Sequence, residues 1–343
     1  MTIKDLEYYF IVPDEEIILN KSLAVRGRMA MLLSITRNGE ERTVWVLYHS
    51  GKGMWNEMAA PVRRSLTNRQ ELKRDMEIRQ GYEPVFIREL DIQGEKFRVA
   101  SSTNIHFGED NYEMYAKLQH FMEAGIDLSP WYEVPADEIS LLSCQLDLQC
   151  PWDRIDMEKP LGLSVTVEAE FRRVMVNKGF RIPFGEDLSG RKYTFKSGGD
   201  GKEHSFYIDK LVHYDIWKEA QERFDDPACR EHLKEEEIRQ MKEEYIERLP
   251  ELCPEGMDLA VIEYETVEGM QLQFYTKEYL RQKVEHKGSA AVLMLMPDKK
   301  PGNRGYRNYA CILAPIEKEY TDPVGVELFC CYLPIPEERI EVS

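Results

Sequence analysis

The sequence predicts an α+β protein: antiparallel β-hairpins and sheets with helices packed on one face, in two domains. Three observations carry this. Alternating apolar runs are joined by tight turn signals, Asn38-Gly39 and Gln93-Gly94. Two segments, 67–81 and 110–125, carry helix start and stop signals. Strands and helices do not alternate regularly, which argues against a parallel doubly wound sheet.

Taken in order, "DLEYYFIVP" opens as a strand, and "GRMAMLLSITRNGEERTVWVLYHS" (27–50) is the clearest hairpin. "TNRQELKRDMEIRQG" (67–81) reads as a helix, with Thr67 and Gln70 at capping-box spacing and Gly81 placed to stop it. A second hairpin spans 82–102. In "DNYEMYAKLQHFMEAG" (110–125), Asp110 and Glu113 form a capping pair. There Met114, Tyr115, Leu118, Phe121 and Met122 recur as one buried helical stripe. Two prolines and a charge cluster in "CPWDRIDMEKPLG" (150–162) mark the boundary between domain 1–150 and domain 151–343.

In the second domain, "SVTVEAEFRRVMVNKG" (164–179) reads as helical towards its end, although its β-branched start also suits a strand. Two helices are expected over 210–224 and 226–250, the second with Asp226 as cap and Pro227 in its first turn. The final third reads as strands, "DLAVIEYE", "MQLQFYT", "SAAVLMLMP", "GYRNYACILAPI" and "GVELFCCYLPI", with a short helix at "KEYLRQKVEHKG". "EFRRVMVNKG" and "EYLRQKVEHKG" echo one another, with "KSLAVRG" (21–27) a fainter third copy. The echo fits either a recurring helix–Gly–hairpin unit or shared helix-end chemistry, and the latter is the simpler account.

Composition bounds the function. The 343 residues are 43% apolar and 31% charged, as in a folded soluble chain, and 45 basic against 62 acidic residues leave a formal charge of −17. Such a field repels nucleic acid and anionic membranes at long range and favours a basic partner or plain solubility. The longest apolar run, 290–296, is strand-length, far short of the ~20 residues of a spanning helix. The N-terminus carries no signal-peptide pattern. Seven scattered cysteines read as reduced core thiols of a cytoplasmic protein; Cys144 and Cys150, if on one strand, stand roughly 20 Å apart.

Five segments could carry chemistry. "FGEDLSGRKYTFKSGGDGKEHSF" (184–206) has phosphate-loop glycine spacing at Gly185 and Gly190. Arg191 and Lys192 replace the required lysine and hydroxyl, however, and Glu186 and Asp187 would repel phosphate, so it reads as a turn. "KKPGNRGYRNY" (299–309) interleaves Lys299, Lys300, Arg304 and Arg307 with Tyr306 and Tyr309. That pattern suits a phosphate backbone or ligand contact, or equally an edge loop. The basic segment 62–79, with Arg69 and Lys73 one turn apart, reads mainly as solvated surface. On 226–250, Cys229, His232 and Glu236 recur on one side without a further metal ligand, and no metal site or cofactor is assigned. The same helix exposes Glu235, Glu236, Glu243 and Glu244 beside a narrow seam of Ile238, Met241, Tyr245 and Leu249, as partner-binding helices do. Finally, "HSFYIDKLVHYD" (204–215) clusters His204, Asp209 and His213 as candidate acid–base groups.

G-x-S-x-G, H-E-x-x-H, G-x-G-x-x-G and C-x-x-C are all absent from the chain. The leading expectation is therefore a non-catalytic binding protein, inhibitor- or adaptor-like, whose acidic surface meets a basic protein partner. Behind it stand an enzyme acting on a small molecule through 204–215, and a nucleic-acid-associated protein using 62–79 and 299–309. The sequence leaves the oligomeric state open.

Overall fold

A computed structural model describes residues 9–51, 65–80, 84–107, 111–156, 158–198, 201–225, 234–267, 269–285 and 301–342. The protein is mostly antiparallel β-sheet with five helices among the described residues. The chain divides into two compact units. Met1–Pro61, Arg74–Glu170 and Pro336–Ser343 form unit 1; Val62–Lys73 and Phe171–Ile335 form unit 2. No helix among the described residues is long and apolar enough to cross a membrane.

Unit 1 contains β1 (Glu15–Val25), β2 (Arg28–Asn38), β3 (Glu41–His49), β4 (Ile87–Ile92), β5 (Glu95–His106), β6 (Ile139–Leu146), β7 (Leu163–Val167) and β15 (Glu338–Val342). They form one sheet in the order β1-β2-β3-β6-β5-β4-β7-β15, every neighbouring pair antiparallel. Its two edge strands come together, with the Arg26 N–H donating to the Glu338 carboxylate at 3.2 Å, so the sheet is nearly closed. On β3, Val44, Val46 and Tyr48 point into one core, while Trp45 and Leu47 point into a second. Helix α2 (Tyr112–Glu123) joins that second core through Met114 and Phe121. Burial on both faces is why β2 and β3 read as nearly continuous apolar runs. The second hairpin turns at Gln93-Gly94 as expected, with φ +56° and +85°, whereas the first turns one residue later than expected: Asn38 closes β2 opposite Glu41, and Gly39 (φ +59°) and Glu40 form the turn.

Helix α1 (Asn68–Gln80) starts on the expected capping box. Gln70 Oε1 accepts the Thr67 N–H at 2.9 Å, and Thr67 Oγ1 accepts the Gln70 N–H at 3.3 Å. The cap of α2 is Asn111, whose side chain accepts the Met114 N–H at 3.3 Å; Asp110 lies outside the described residues. The buried stripe of α2 is also narrower than expected, because Tyr115 and Met122 are exposed and Lys117 is buried with its ammonium 5.2 Å from the Trp45 ring centre.

Unit 2 packs a four-stranded sheet, β13-β11-β10-β9, against a three-stranded one, β12-β14-β8. These are β8 (Glu170–Ile182), β9 (Lys192–Lys196), β10 (Glu203–Tyr214), β11 (Met257–Thr266), β12 (Gln271–Thr276), β13 (Asn308–Glu317) and β14 (Val324–Ile335). Helices α3 (Ile216–Asp225) and α4 (Glu235–Leu252) cover part of the outer face of the larger sheet, and α5 (Lys277–Arg281) follows β12.

Several expectations are corrected. Residues 9–13 are not strand. Residues 164–179 form β7 and most of β8, the β-branched start having been the better guide. The helix expected over 210–224 begins at Ile216, after β10. The echoing segments fold differently, 170–179 as strand and 277–281 as helix, so their likeness is not a repeated unit. Cys150 lies beyond the end of β6 and does not share a strand with Cys144. The strand expected over 290–296 and the start of the 226–250 helix lie outside the described residues.

The two sheets of unit 2 are linked through side chains. The Tyr264 hydroxyl on β11 accepts the Leu272 N–H at 2.7 Å and donates to the Leu272 carbonyl at 3.1 Å, and the Phe274 N–H reaches Cys311 Sγ at 3.4 Å. The edge of β12 is thus satisfied by side chains in place of a strand. Tyr264→Phe leaves two buried backbone groups without partners and is expected to cost about 1–3 kcal/mol, read by chemical denaturation. An unchanged midpoint would mean that β12 finds other partners.

Candidate functional site

The outer face of the larger sheet changes character along its length. On β11 the residues Leu259, Val261, Glu263 and Glu265 share one face by the two-residue period of a strand. Leu259 and Val261 lie under α3 and α4. Beyond the helices the same face turns acidic with Glu263 and Glu265, and the register sets Tyr207 of β10 and Asn308 of β13 beside Glu265. Between Ile208 and Lys210 the pairing of β10 with β11 slips, which leaves Asp209 as an extra residue in a β-bulge. Bulges re-aim a side chain, and this one helps place Asp209 among the acidic residues.

Two loops complete the site. Residues 301–307 turn tightly: the Gly302 N–H donates to the Tyr306 carbonyl at 2.8 Å, and the Gly305 N–H donates to the Gly302 carbonyl at 3.0 Å, with Gly305 at φ +83°. The loop folds over the buried Glu265 carboxylate, which accepts the N–H groups of Arg304 at 2.9 Å and Tyr306 at 3.0 Å. This is a backbone anion nest whose occupant is the protein's own carboxylate. Gly302 is obligatory there, because a Cβ would overlap the Glu265 carboxyl group. The second loop, 185–191, runs along β10, with the Gly185 N–H on the Leu211 carbonyl at 3.0 Å and the Leu188 N–H on the Asp209 carbonyl at 2.7 Å. Arg304 ties the loops together, its Nε donating to the Ser189 carbonyl at 2.9 Å.

Between these parts lies a pocket of about 380 Å³, lined in part by Glu186, Asp187, Asp209, Glu263, Asn303 and Asn308. Burial pushes the Asp209 carboxyl up to about 6, reinforced by the charges of Glu265, Glu263 and Asp187 and opposed by the Asn303 amide, which donates to it at 3.4 Å. Asp187 is held below the ordinary carboxylate range by the hydroxyl and N–H of Ser189. Among the described residues the one cation lining the pocket, Lys210, pairs with Glu263 at 3.2 Å. Asn308 Oδ1 is shut off from solvent and has no hydrogen-bond partner among the described residues. The described lining is therefore richer in acceptors than in donors.

The sequence-derived candidates disperse. Of the acid–base trio on β10, Asp209 lines the pocket. His204 is 3% exposed and packs beside the Phe195 ring. His213 contacts the Tyr320 carbonyl at 2.8 Å and Asp258 at 3.3 Å, with Phe184 on its face. Arg304 and Tyr306 adjoin the pocket through the 301–307 loop, whereas Arg307 lies over the Tyr309 ring. Lys299 and Lys300 lie outside the described residues, as do Cys229 and His232. Among the described residues no three histidine, cysteine or acidic side chains are placed to hold a metal.

On α4, Glu235, Glu236, Glu243 and Glu244 are exposed, and Glu236 pairs with Arg239. Ile238 and Leu249 are buried, while Met241 of the expected seam is exposed. In the basic segment 62–79, Arg69 forms a two-pronged pair with Glu327 at 2.6 and 2.5 Å. Asn303, Asn308 and Glu263 were not singled out from sequence. The available signal was the run "LAVIEYE", whose same-face residues pass from apolar to acidic. No protein-family model matches the sequence, and no curated protein or solved structure matches it.

Proposed function

We propose that this chain is a non-catalytic binding protein whose unit 2 pocket receives a cationic group, a guanidinium or ammonium, from a basic partner. The observation that carries the reading is the convergence of Glu186, Asp187, Asp209 and Glu263 on one small concavity. Each offers an acceptor, and a guanidinium offers five N–H donors together with the missing positive charge. Exposed Glu235, Glu236, Glu243 and Glu244 add a negative field that draws the same partner. The scattered, mostly buried cysteines of the described residues support a cytoplasmic setting.

The test is calorimetric titration with n-propylguanidine at low salt. Saturable binding is expected, about tenfold weaker in Asp209→Asn, the loss of one charge-assisted contact. Absence of binding, or equal binding by the variant, rules the pocket out.

A second reading rests on one observation, the carboxyl of Asp209 at about 6. A group so placed can exchange protons near neutral pH and could act as general acid or base on a bound small molecule. Slow conversion of a bound amine, abolished by Asp209→Asn, would favour this reading over simple binding.

A further inference from the structure

The loops that form the acidic pocket also carry cations. Pro301, Gly302 and Asn303 line the pocket, and the same turn goes on to present Arg304 and Tyr306. Glu186 and Asp187 line it, and the same loop holds Arg304 through the Ser189 carbonyl and runs on to Lys192. The Arg304 guanidinium lies 5.2 Å from the Tyr207 ring centre, and Tyr306 stacks parallel on Tyr207 with centroids 6.4 Å apart. Lys192 is the cross-strand neighbour of Tyr207, on the same face. Arg304, Lys192 and Tyr306 are exposed, and neither cation has a carboxylate partner among the described residues.

That pairing pattern is informative in a chain with 62 acidic and 45 basic side chains. Several cations of unit 2 pair with carboxylates: Lys210 with Glu263, Arg69 with Glu327 and Lys318 with Asp215. Arg304 instead rests on a tyrosine face, where stacking holds a guanidinium flat and leaves its outer N–H edge open to an anion. The acidic concavity and the cationic tyrosine platform share both loops and form one surface of opposite charges.

The geometry points to a bipartite site for a dipolar ligand, with a guanidinium or ammonium end in the pocket and a carboxylate end on Arg304 and Lys192. The inference rests on the pocket reading above and adds the second charge. Its chemical class is a basic ω-amino or ω-guanidino acid, available either as a free small molecule or as the C-terminal basic residue of a polypeptide. A simple cation uses half the site, and a dicarboxylate is repelled by the pocket.

Two probes separate the claims, n-propylguanidine and 4-guanidinobutyrate, which differ by one carboxylate. The wild-type chain is expected to bind 4-guanidinobutyrate about fivefold tighter at low salt, a typical gain for one partly exposed charge pair. Arg304→Gln and, independently, Lys192→Gln are each expected to shrink that ratio towards one; the lysine variant guards against a loop that fails to fold. The ratio is also expected to fall as salt rises, since both charges are partly screened. Equal affinities in the wild type, or a preference that survives both variants, would overturn the bipartite site while leaving the cation pocket standing. Failure of both probes would remove the pocket itself. N-acetyl-L-arginine against L-arginine then identifies the source. Tighter binding of the acetylated form marks a polypeptide C-terminus; tighter binding of the free amino acid marks a small molecule.

Discussion

Gly302→Ala is expected to lower the unfolding temperature of unit 2 and to abolish guanidinium binding together. The added Cβ would overlap the carboxyl group of Glu265, which is fully buried and held by the N–H groups of Arg304 and Tyr306. Neither side can yield cheaply. Glu265 sits near the end of β11 but is paired on both sides, with Tyr207 and Asn308, and the 301–307 loop is pinned by its own turn hydrogen bonds. If the loop lifts, a buried carboxylate loses its donors, which costs on the order of 3 kcal/mol. For a unit of this size that is a fall of about 6–12 °C. Binding goes too, because Pro301, Gly302 and Asn303 form one wall of the pocket. Gly190→Ala is the control. Its Cβ would meet Arg304 Nη2 at an ordinary 3.7 Å, and it is expected to melt within about 2 °C of the parent. Thermal scans with and without n-propylguanidine decide the matter, and a Gly302→Ala protein that melts with the control would show that the loop is not held by Glu265.

Asp209→Asn is expected to stabilise the protein at pH 7.5 while weakening ligand binding. Burial raises this carboxyl from 3.8 to about 6, so the folded chain binds a proton that the unfolded chain has released. The contribution of Asp209 to stability is then fully present below about pH 4 and is lost as pH rises through about 6. Asparagine keeps the size and removes the charge from the field of Glu265, Glu263 and Asp187, which the Asn303 amide only partly offsets. The expected gain at pH 7.5 is on the order of 2 kcal/mol, somewhat below the full shift because pocket water screens part of the repulsion. It should vanish at pH 4. The same protonation should weaken n-propylguanidine binding to the wild type between pH 7 and pH 5. Denaturation midpoints at pH 4, 5.5 and 7.5 measure the first effect. A variant with the wild-type pH profile would show that Asp209 ionises as an ordinary surface carboxyl.

What was legible in the sequence was local. Gly39 and Gln93-Gly94 specify their hairpins because their turn conformations need positive φ, a property of the residues themselves. Thr67 and Gln70 cap their helix because the bonds run between residues three apart. The strands of the final third follow from runs of β-branched and aromatic residues. The stretch 210–214 misled for a related reason. Val212 and Tyr214 pack under helices while Leu211 faces the other core, so strand β10 shows no clean alternation and resembles the helix that follows it.

The candidate site could not be read in the same way, because its parts are far apart in the chain. Taken alone, "GEDLSG" looks like a failed phosphate loop and "PGNRGYRNY" like a basic edge turn. Neither announces that Arg304 will bond Ser189, or that the N–H nest of the 301–307 loop will close on Glu265. The slip that frees Asp209 depends on the pairing of β10 with β11. The raised pKa of Asp209 depends on carboxylates that only folding brings near. The sequence by itself therefore determined turns, caps, strand content and the acidic balance, since these rest on interactions between near neighbours. The tertiary structure alone decided which acidic residues share a pocket and which cations rest on a tyrosine rather than a carboxylate among the described residues. Electrostatic coupling depends on distance through space, and distances across the sheet are set by register and loop packing.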